Sequence, residues 1–492
     1  MVGGGIMRIG IDFGTSYSAA AAVVDGAVKL IEFEGNSQFR TTVFFPHQLP
    51  NLQDFVLTDE LQAQAQRLAA ELKADQSREL ARIAALRRDA ERLTEQERSN
   101  ALAMIPTLKA QGDSSFYDAA VGSVRRDWAR GEVIAARAQS ASIKDALYGE
   151  EAMKAFMRSG EGHLVVSPKS MLGYALLPSA RETLLSISTH ILSYIRETAS
   201  AQLGTDVRKA VLGRPVAFRS SQGEAGNEMA LSILTDAAMA AGFEEVSFLE
   251  EPAAAAFEHH RQVELPTRVL IFDIGGGTTD IAMARVGGDL PAPEILASWG
   301  EPRGGTDVDL ELSLKGVMPL FGKHVTSTPV HFYAWAASVH DAKQQRDFQV
   351  ADFCLIDEPY RARLVALQCP GHTVRLNRSV ERARINLGSD SRRRLKLSYI
   401  EDGLTCPLDH QLLEQASEDL SQRLEQLLRT AKEQASCAPD IVLLTGGMSQ
   451  AAMIPSLVEK VFPGIPIFRG DASLAVVTGL AWAAGADGGA QA

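Results

Sequence analysis

The stretch Phe272-Asp-Ile-Gly-Gly-Gly-Thr-Thr-Asp280 constrains this chain more than any other. The apolar, β-branched run from Val269 to Phe272 leads into it, and a second apolar run from Ile281 leads out. Such runs are the pattern of buried strands, so the stretch reads as strand, tight turn, strand. Without a Cβ at the three glycines, the backbone can come close to a ligand. Its amide hydrogens can then converge on an anion. Asp273 and Asp280 fall at the strand–turn edges, where carboxylates suit a hydrated divalent cation. An ordinary hairpin with a glycine-rich turn has the same local pattern. Phosphate plus metal is the sharper reading.

The beginning of the chain repeats the arrangement. Arg8-Ile-Gly-Ile-Asp-Phe-Gly-Thr-Ser16 is again an apolar strand, then Asp12, Gly14, Thr15 and a hydroxyl residue, followed by another apolar run to Val23. Two copies about 260 residues apart predict a duplicated architecture in which each lobe carries one phosphate hairpin and the ligand lies between them.

Length and charge bound the alternatives. A chain of 492 residues exceeds a single small core, so at least two lobes are expected. A net charge of −12 argues against general nucleic-acid binding, which needs a basic footprint. No apolar run is long enough to cross a bilayer. The first residues, Met1 to Arg8, lack the regions of a signal peptide, and Met7 is an alternative start. Cys354, Cys369, Cys406 and Cys437 have no metal-ligand rhythm. They read as separate thiols in a reducing compartment, which makes the cytoplasm the expected location.

Between the hairpins the chain changes character. From Asn51 to Ile105 there is neither Gly nor Pro. Leu61, Ala65, Leu68, Leu72, Ile83, Leu86, Ala90 and Leu93 recur at helical steps, which predicts a long amphipathic helix of ~50 Å. Thr94-Glu-Gln-Glu97 resembles a capping box and offers a second helix start. This arm reads either as a helical hairpin packed along a lobe or as a projecting partner site.

Further elements carry candidate chemistry. Gly162 to Gly173 is a strand and a loop bearing Lys169, a solvated surface charge or, between two phosphate hairpins, a phosphate ligand. Residues 180–203 are helical, Lys209 to Phe218 a strand ending at Pro215, and Asn227 to Ala241 an alanine-rich helix stopped by Gly242. Val246 to Phe257 gives a strand, a Glu250-Glu251-Pro252 turn and a helix opened by the proline. Gly300 to Asp309 is another glycine turn into a helix. The aromatic run His331 to Trp335 reads as core, with a helix expected near Ala337 to Phe348. Ser379 to Leu387 is helical. Arg392 to Ile400 is a strand whose basic start reads as a solvated edge or a partner site. Asp409 to Ala435 is a long amphipathic helix. Ile441 to Ser449 is a buried strand into Gly446-Gly447, with a helix from about Ala451 whose amide end suits an anion or sugar hydroxyl.

These motifs together resemble the nucleotide-binding domain of the 70-kDa heat-shock (Hsp70) chaperones, within the actin-like ATPase superfamily, and especially the short bacterial members often called YegD-like. The resemblance runs over nearly the whole chain, apart from roughly residues 47–115 and parts of 318–375. Ile9 to Ser16 is similar to the first phosphate motif, Ser167 to Gly173 to the segment with the catalytic lysine, and Glu250 to Ala255 to the Glu-Pro turn. Phe272 to Asp280 is similar to the second phosphate motif, Gly304 to Asp309 to the turn after it, Val380 to Ile385 to the adenosine helix, and Thr445 to Gly447 to the last nucleotide loop.

The resemblance implies an α/β, duplicated ribonuclease H-like, two-lobed fold with a helical insertion. Lobe I is expected over 7–217 with the insertion about 51–110. Lobe II is expected over 218–440 with an extra subdomain about 310–400, then closing elements over 441–484 and a flexible tail over 485–492. It implies ATP or ADP with Mg²⁺ as cofactors. Asp12 and Asp273 would hold the metal through water. Thr15, Ser16 and Thr278, with the amides around Gly14, Gly275, Gly276 and Gly277, would hold phosphates. Lys169 would steady the γ-phosphate and attacking water, with Glu251 and Asp280 in the same shell. Glu381 and Arg384 would flank adenine and ribose. Gly304, Gly305, Gly446 and Gly447 would admit the backbone to ribose and phosphate, with Gly388 and Met448 at the base.

Departures are equally specific. The run after the last Gly-Gly is Met448-Ser-Gln-Ala-Ala452, where the family carries a hydroxyl and then Thr-Arg-Ile-Pro with an arginine on the adenine. Gly388 stands where a serine contacting adenine is usual. Pro215 matches the family's interlobe relay, but the relay arginine falls at Leu231. No counterpart of the family's apolar linker and peptide-binding β-sandwich is expected. The expected function is a slow Mg-dependent ATPase, related to chaperones, whose lobes close on nucleotide. A non-hydrolysing nucleotide-dependent scaffold is the alternative, and a metabolite kinase or filament former of the same superfamily is a third. The arm is the expected dock for a protein partner; neither nucleic acid nor membrane is expected.

Overall fold

The computed structural model describes residues 7–46, 55–95, 98, 102, 105, 106, 112–138, 145–160, 162–220, 222–470 and 474–489. It divides into two compact units, Met1–Phe45 with Asp145–Ala492, and Pro46–Lys144.

Along the chain, β1 (Arg8–Phe13), β2 (Tyr17–Val24), β3 (Ala27–Leu30), β4 (Phe39–Arg40) and β5 (Thr42–Pro46) precede α1 (Asp59–Ala90) and α2 (Asp113–Ala138). Then come β6 (Leu147–Tyr148), α3 (Gly149–Ser159), β7 (Gly162–Val166), α4 (Pro178–Leu203), β8 (Lys209–Arg214), α5 (Glu224–Ala240), β9 (Glu245–Glu250) and α6 (Glu251–His260). The second lobe holds β10 (Thr267–Ile274), β11 (Thr279–Val286), β12 (Glu294–Glu301), α7 (Gly305–Leu312), α8 (Val330–Ala337), α9 (Ala342–Gln349), α10 (Tyr360–Leu367) and α11 (His372–Leu387). It continues through β13 (Arg392–Lys396), β14 (Thr405–Asp409), α12 (His410–Gln434), β15 (Ile441–Thr445), α13 (Met453–Val461), β16 (Ile467–Arg469) and α14 (Ala475–Gly489).

The duplication is visible in the sheets. One runs β3-β2-β1-β8-β9 and the other β12-β11-β10-β15-β16. In each, the central strand pairs antiparallel with its hairpin partner and parallel with a later strand: β1 with β2 and β8, β10 with β11 and β15. This is the two-lobed, ribonuclease H-like fold of actin-like ATPases. The central strands are apolar because both faces are covered. Ile9, Ile11, Phe13, Leu270, Phe272 and Ile274 are fully buried.

The alanine-rich segments have a packing reason. Helices α6 and α14 lie against each other and against the sheets. Ala254, Ala255, Ala256 and Ala481 are fully buried, and small side chains permit close approach. A Cβ on Gly479 would lie 1.7 Å from the Ala254 carbonyl oxygen, and one on Gly10 would lie 2.4 Å from the Ala481 nitrogen. No side chain fits at either contact.

The helical unit differs from expectation in extent. Thr58 caps α1 by accepting from the Leu61 amide at 3.4 Å, as its position suggested. The helix ends at Ala90 after 32 residues, close to the expected ~50 Å. Gln96 and Glu97 of the expected capping box lie outside the described residues. The unit reaches Lys144 rather than about 110, because α2 returns along α1 and buries Ala120 and Val124 against Ala65. Gly122 and Gly131 masked this helix in the sequence; packing outweighs their propensity cost of about 1 kcal/mol each.

Smaller corrections follow the same logic. The aromatic run forms α8, with Tyr333 buried but His331 exposed. The helix expected over Ala337 to Phe348 is the separate α9, started by Asp341, whose carboxylate accepts from the Lys343 and Gln344 amides. The strand from Arg392 stops at Lys396. A short 3₁₀ turn, Gly447–Gln450, intervenes before α13. The closing helix extends to Gly489, into the segment expected to be loose. Among the described residues, no helix is long and apolar enough to cross a membrane.

Candidate active site

Two glycine turns face each other at the ends of the central strands. Residues Gly14 to Ser16 join β1 to β2, and Gly275 to Thr278 join β10 to β11. A Cβ on Gly276 would lie 2.3 Å from Ser16 Oγ, and one on Gly277 would lie 2.6 Å from Thr15 Oγ1. The glycines therefore set how closely the two hairpins meet.

A cleft of about 250 Å³ opens between them. Of the residues expected at a site, Asp12, Gly14, Thr15, Ser16, Lys169, Glu251, Asp273, Gly275, Gly276, Gly277, Thr278, Glu381, Arg384, Gly446, Gly447 and Met448 line it. Four do not. Asp280 sits behind the second hairpin, fully buried, with a carboxylate oxygen accepting from the Val216 amide at 2.8 Å. Gly304 and Gly305 buttress the same turn; the Gly305 amide donates to the Gly275 carbonyl at 3.1 Å. Gly388 lines an adjoining cavity of about 210 Å³ instead.

Lys169 lies on a 3₁₀ turn, Pro168–Met171, directly after β7. Ser167 adopts a left-handed conformation, φ 54°, uncommon for a residue with a Cβ. That bend turns the lysine inward. Lys169 is 4% exposed and ion-paired with Glu251, the first residue of α6. Burial opposes the ammonium charge, but the carboxylates of Glu251, Asp12 and Asp280 outweigh it and hold its pKa above the ordinary lysine value.

The carboxylates show the converse. Burial first, and then the charge of Glu251, push Asp12 up to about 8 and Asp273 up to about 7. The same two causes raise Asp280 well above the usual carboxylate range. Thr445 donates to Asp273 at 3.0 Å and offsets part of that rise. Crowded carboxylates with elevated pKa values suit a cation. Among the described residues, no group of three His, Cys, Asp or Glu side chains is arranged to hold a metal ion. A cation here would take one or two carboxylates and complete its shell with water and phosphate oxygens, the habit of Mg²⁺.

The far end of the cleft is less polar. Arg384 donates to Asp309 at 2.7 Å and contacts the Met448 sulfur at 2.7 Å. Asp309, on α7, is 4% exposed. Ile385 and Met448 line both the cleft and the adjoining cavity, which Leu413 and Met453 also line. Glu381 is bound by Arg40 of β4. Sequence reasoning missed Asp309 as the partner of Arg384 and Arg40 as the partner of Glu381, and Tyr17, Gln38, Ile385 and Thr445 at the cleft. Thr445 adjoins the Gly-Gly loop and was within reach of the motif; the others have no local signature.

Fold and site define a two-lobed, actin-like protein with a polar cleft between duplicated glycine hairpins. Comparison with known proteins narrows the class. The family model described as Hsp70 protein matches residues 180–315. The "Chaperone protein DnaK" of Thermosipho africanus is 27% identical over 286 residues, covering 56% of this chain and 40% of that protein. That of Thermosipho melanesiensis is 26% identical over 305 residues, covering 60% of this chain and 43% of that protein. These matches and the duplicated sheets make the chain similar to Hsp70 proteins. The matches span about two fifths of the length of these curated relatives.

Proposed function

We propose that this protein binds ATP with Mg²⁺ in the cleft and hydrolyses it slowly, closing its lobes on the nucleotide. The observation that carries this reading is the buried Lys169–Glu251 pair, set between two glycine hairpins with Asp12 and Asp273 beside it. Transfer of a phosphoryl group to water needs alignment and charge neutralisation more than covalent chemistry.

The chain supplies both. The hairpin amides and the hydroxyls of Thr15, Ser16 and Thr278 hold phosphate oxygens. The Lys169 ammonium neutralises the terminal phosphate. The Glu251 carboxylate accepts a hydrogen bond from the water beside it and orients its attack. Asp280, fixed by the Val216 amide, keeps the second turn in place. Asp12 and Asp273 would hold Mg²⁺ through water, and the ion would neutralise charge building on the phosphate oxygens. Gly304 and Gly305 support the turn from behind, while Gly446 and Gly447 admit the ribose. The base would rest on Ile385 and Met448, with Gly388 in the adjoining cavity, a surface that discriminates weakly among bases.

The relatives' name supports a chaperone-related role, the free thiols suit the cytoplasm, and the helical unit is the proposed dock for a protein partner. A non-hydrolysing scaffold is the second reading. The observation favouring it is Arg384, whose guanidinium is engaged by Asp309 and Met448 rather than free for a base. Calorimetry with ATP, ADP and GTP, paired with Mg²⁺-dependent phosphate release, separates the two. Tight binding without turnover would leave the scaffold and end the ATPase reading.

A further inference from the structure

The antiparallel ribbon β13–β14 carries a feature that the nucleotide cleft does not use. Its side chains alternate across two faces. On the inner face, Leu395, Cys406 and Leu408 are buried in the core of the second lobe. On the outer face, Arg392, Arg394 and Lys396 follow one another along β13, all exposed. Their register partners on β14 are Asp409, Pro407 and Thr405. The one carboxylate among these, Asp409, accepts instead from the Leu412 amide at 2.9 Å as the cap of α12. Arg393 is ion-paired with Asp390. Arg392, Arg394 and Lys396 have no hydrogen-bond or ion-pair partner among the described residues.

Many exposed cations elsewhere are matched locally: Arg268 by Asp440, Arg285 by Glu294, Arg423 by Asp419 and Arg429 by Glu425. The whole molecule carries −12, yet here three like charges share one flat face. Cations on a short ribbon also discourage edge-to-edge pairing, but that purpose does not require all three on the same face.

We propose that the outer face of β13–β14 docks an acidic polypeptide segment in extended conformation, with Asp or Glu at alternate positions. Charge and register both support this occupant. Alternate residues of a strand lie about 6.7 Å apart, so carboxylates at every second position of an extended partner match the spacing of Arg392, Arg394 and Lys396. The stripe is only about 13 Å long, enough for some five residues, and the molecule's net negative charge repels a long polyanion such as nucleic acid or an anionic membrane.

The test uses the full chain and a fluorescein-labelled peptide of alternating Asp and Thr, followed by anisotropy at low and high salt. Binding is expected to weaken about tenfold or more in the triple variant Arg392→Glu, Arg394→Glu, Lys396→Glu, and to weaken with salt. Unchanged melting and unchanged ADP binding would show that the variant is folded. A peptide of the same composition with its Asp residues contiguous is expected to bind less well. Equal binding of the triple variant, or no binding of the alternating peptide to the native chain, would overturn the proposal. So would tighter binding of single-stranded DNA or of phosphatidylserine vesicles than of the peptide.

Discussion

Arg40 donates from Nη2 to Glu381 Oε2 at 2.9 Å, joining β4 of the first lobe to α11 of the second. The two residues are 341 positions apart, and their side chains are only 12% and 14% exposed. Glu150 of the first lobe adds to the bridge by pairing with Arg378 of α11 and accepting from Arg40 Nε at 3.3 Å. Charge-assisted pairs held this far from solvent outweigh surface ion pairs. Glu381 also lines the cleft, so the bridge joins the two lobes beside it. Arg40→Ala is therefore expected to speed release of a fluorescent ADP analogue about tenfold, measured by stopped-flow chase. An unchanged release rate would remove this bridge from the control of cleft opening.

Lys169→Ala is expected to lower phosphate release at saturating ATP about a hundredfold, the cost of removing one preorganised donor from a developing charge. Nucleotide affinity is expected to fall far less, because the hairpin amides remain. Glu251→Gln keeps the shape but loses the acceptor charge, and is expected to lower turnover while ADP binding persists. Single-turnover assays beside calorimetry read the two effects separately. Turnover unaffected by Lys169→Ala, at equal ATP occupancy, would take the lysine out of the chemistry.

The hairpin end of the cleft was legible in the sequence because its pattern is local. An Asp at the end of an apolar strand, followed by glycines and hydroxyls, encodes turn, ligand approach and charge within nine residues, and the chain carries it twice. The base end was not legible in the same way. Arg384 looked free for a nucleotide, but it is claimed by Asp309, 75 positions earlier, and no spacing rule announces that pairing. Arg40 was invisible for the same reason. The helical unit shows a third kind of gap: α2 contains Gly122 and Gly131, and only burial of Ala120 and Val124 against α1 makes it a helix.

His340 provides a pH test away from the cleft. It lies in the turn between α8 and α9, where burial first, and then the neighbouring Arg219, depress its pKa, with Asp307 and Asp341 partly opposing. Between its folded pKa and the unfolded value of about 6.5, the unfolded chain binds more protons. Stability therefore rises with pH across that window and is lost as pH falls through it. His190 and His259 are also depressed by burial and act with the same sign. Asp12, Asp273 and Asp280, raised in the fold, act with the opposite sign in this window, so the test is a difference: from pH 7.5 to pH 5.5 the melting temperature of the native protein is expected to drop relative to that of His340→Asn. An identical slope in the variant would show that His340 does not contribute.

Gly479→Ala tests the crossing of α6 and α14. The added Cβ would sit 1.7 Å from the Ala254 carbonyl oxygen and 2.5 Å from its carbon. Both are backbone atoms of a helix with no rotamer to yield, so the helices must separate. Separation exposes a contact that also involves Gly10, whose space is bounded by Leu480 and Ala481. The cost is expected to be at least about 3 kcal/mol, the upper range for overpacking a tight core. The same substitution at Gly403, which has φ 73° but open space around it, is expected to cost only about 1 kcal/mol from backbone strain. Urea unfolding of the two variants side by side measures the difference. If Gly479→Ala were no worse than Gly403→Ala, the close approach of α6 and α14 could not be what requires glycine there.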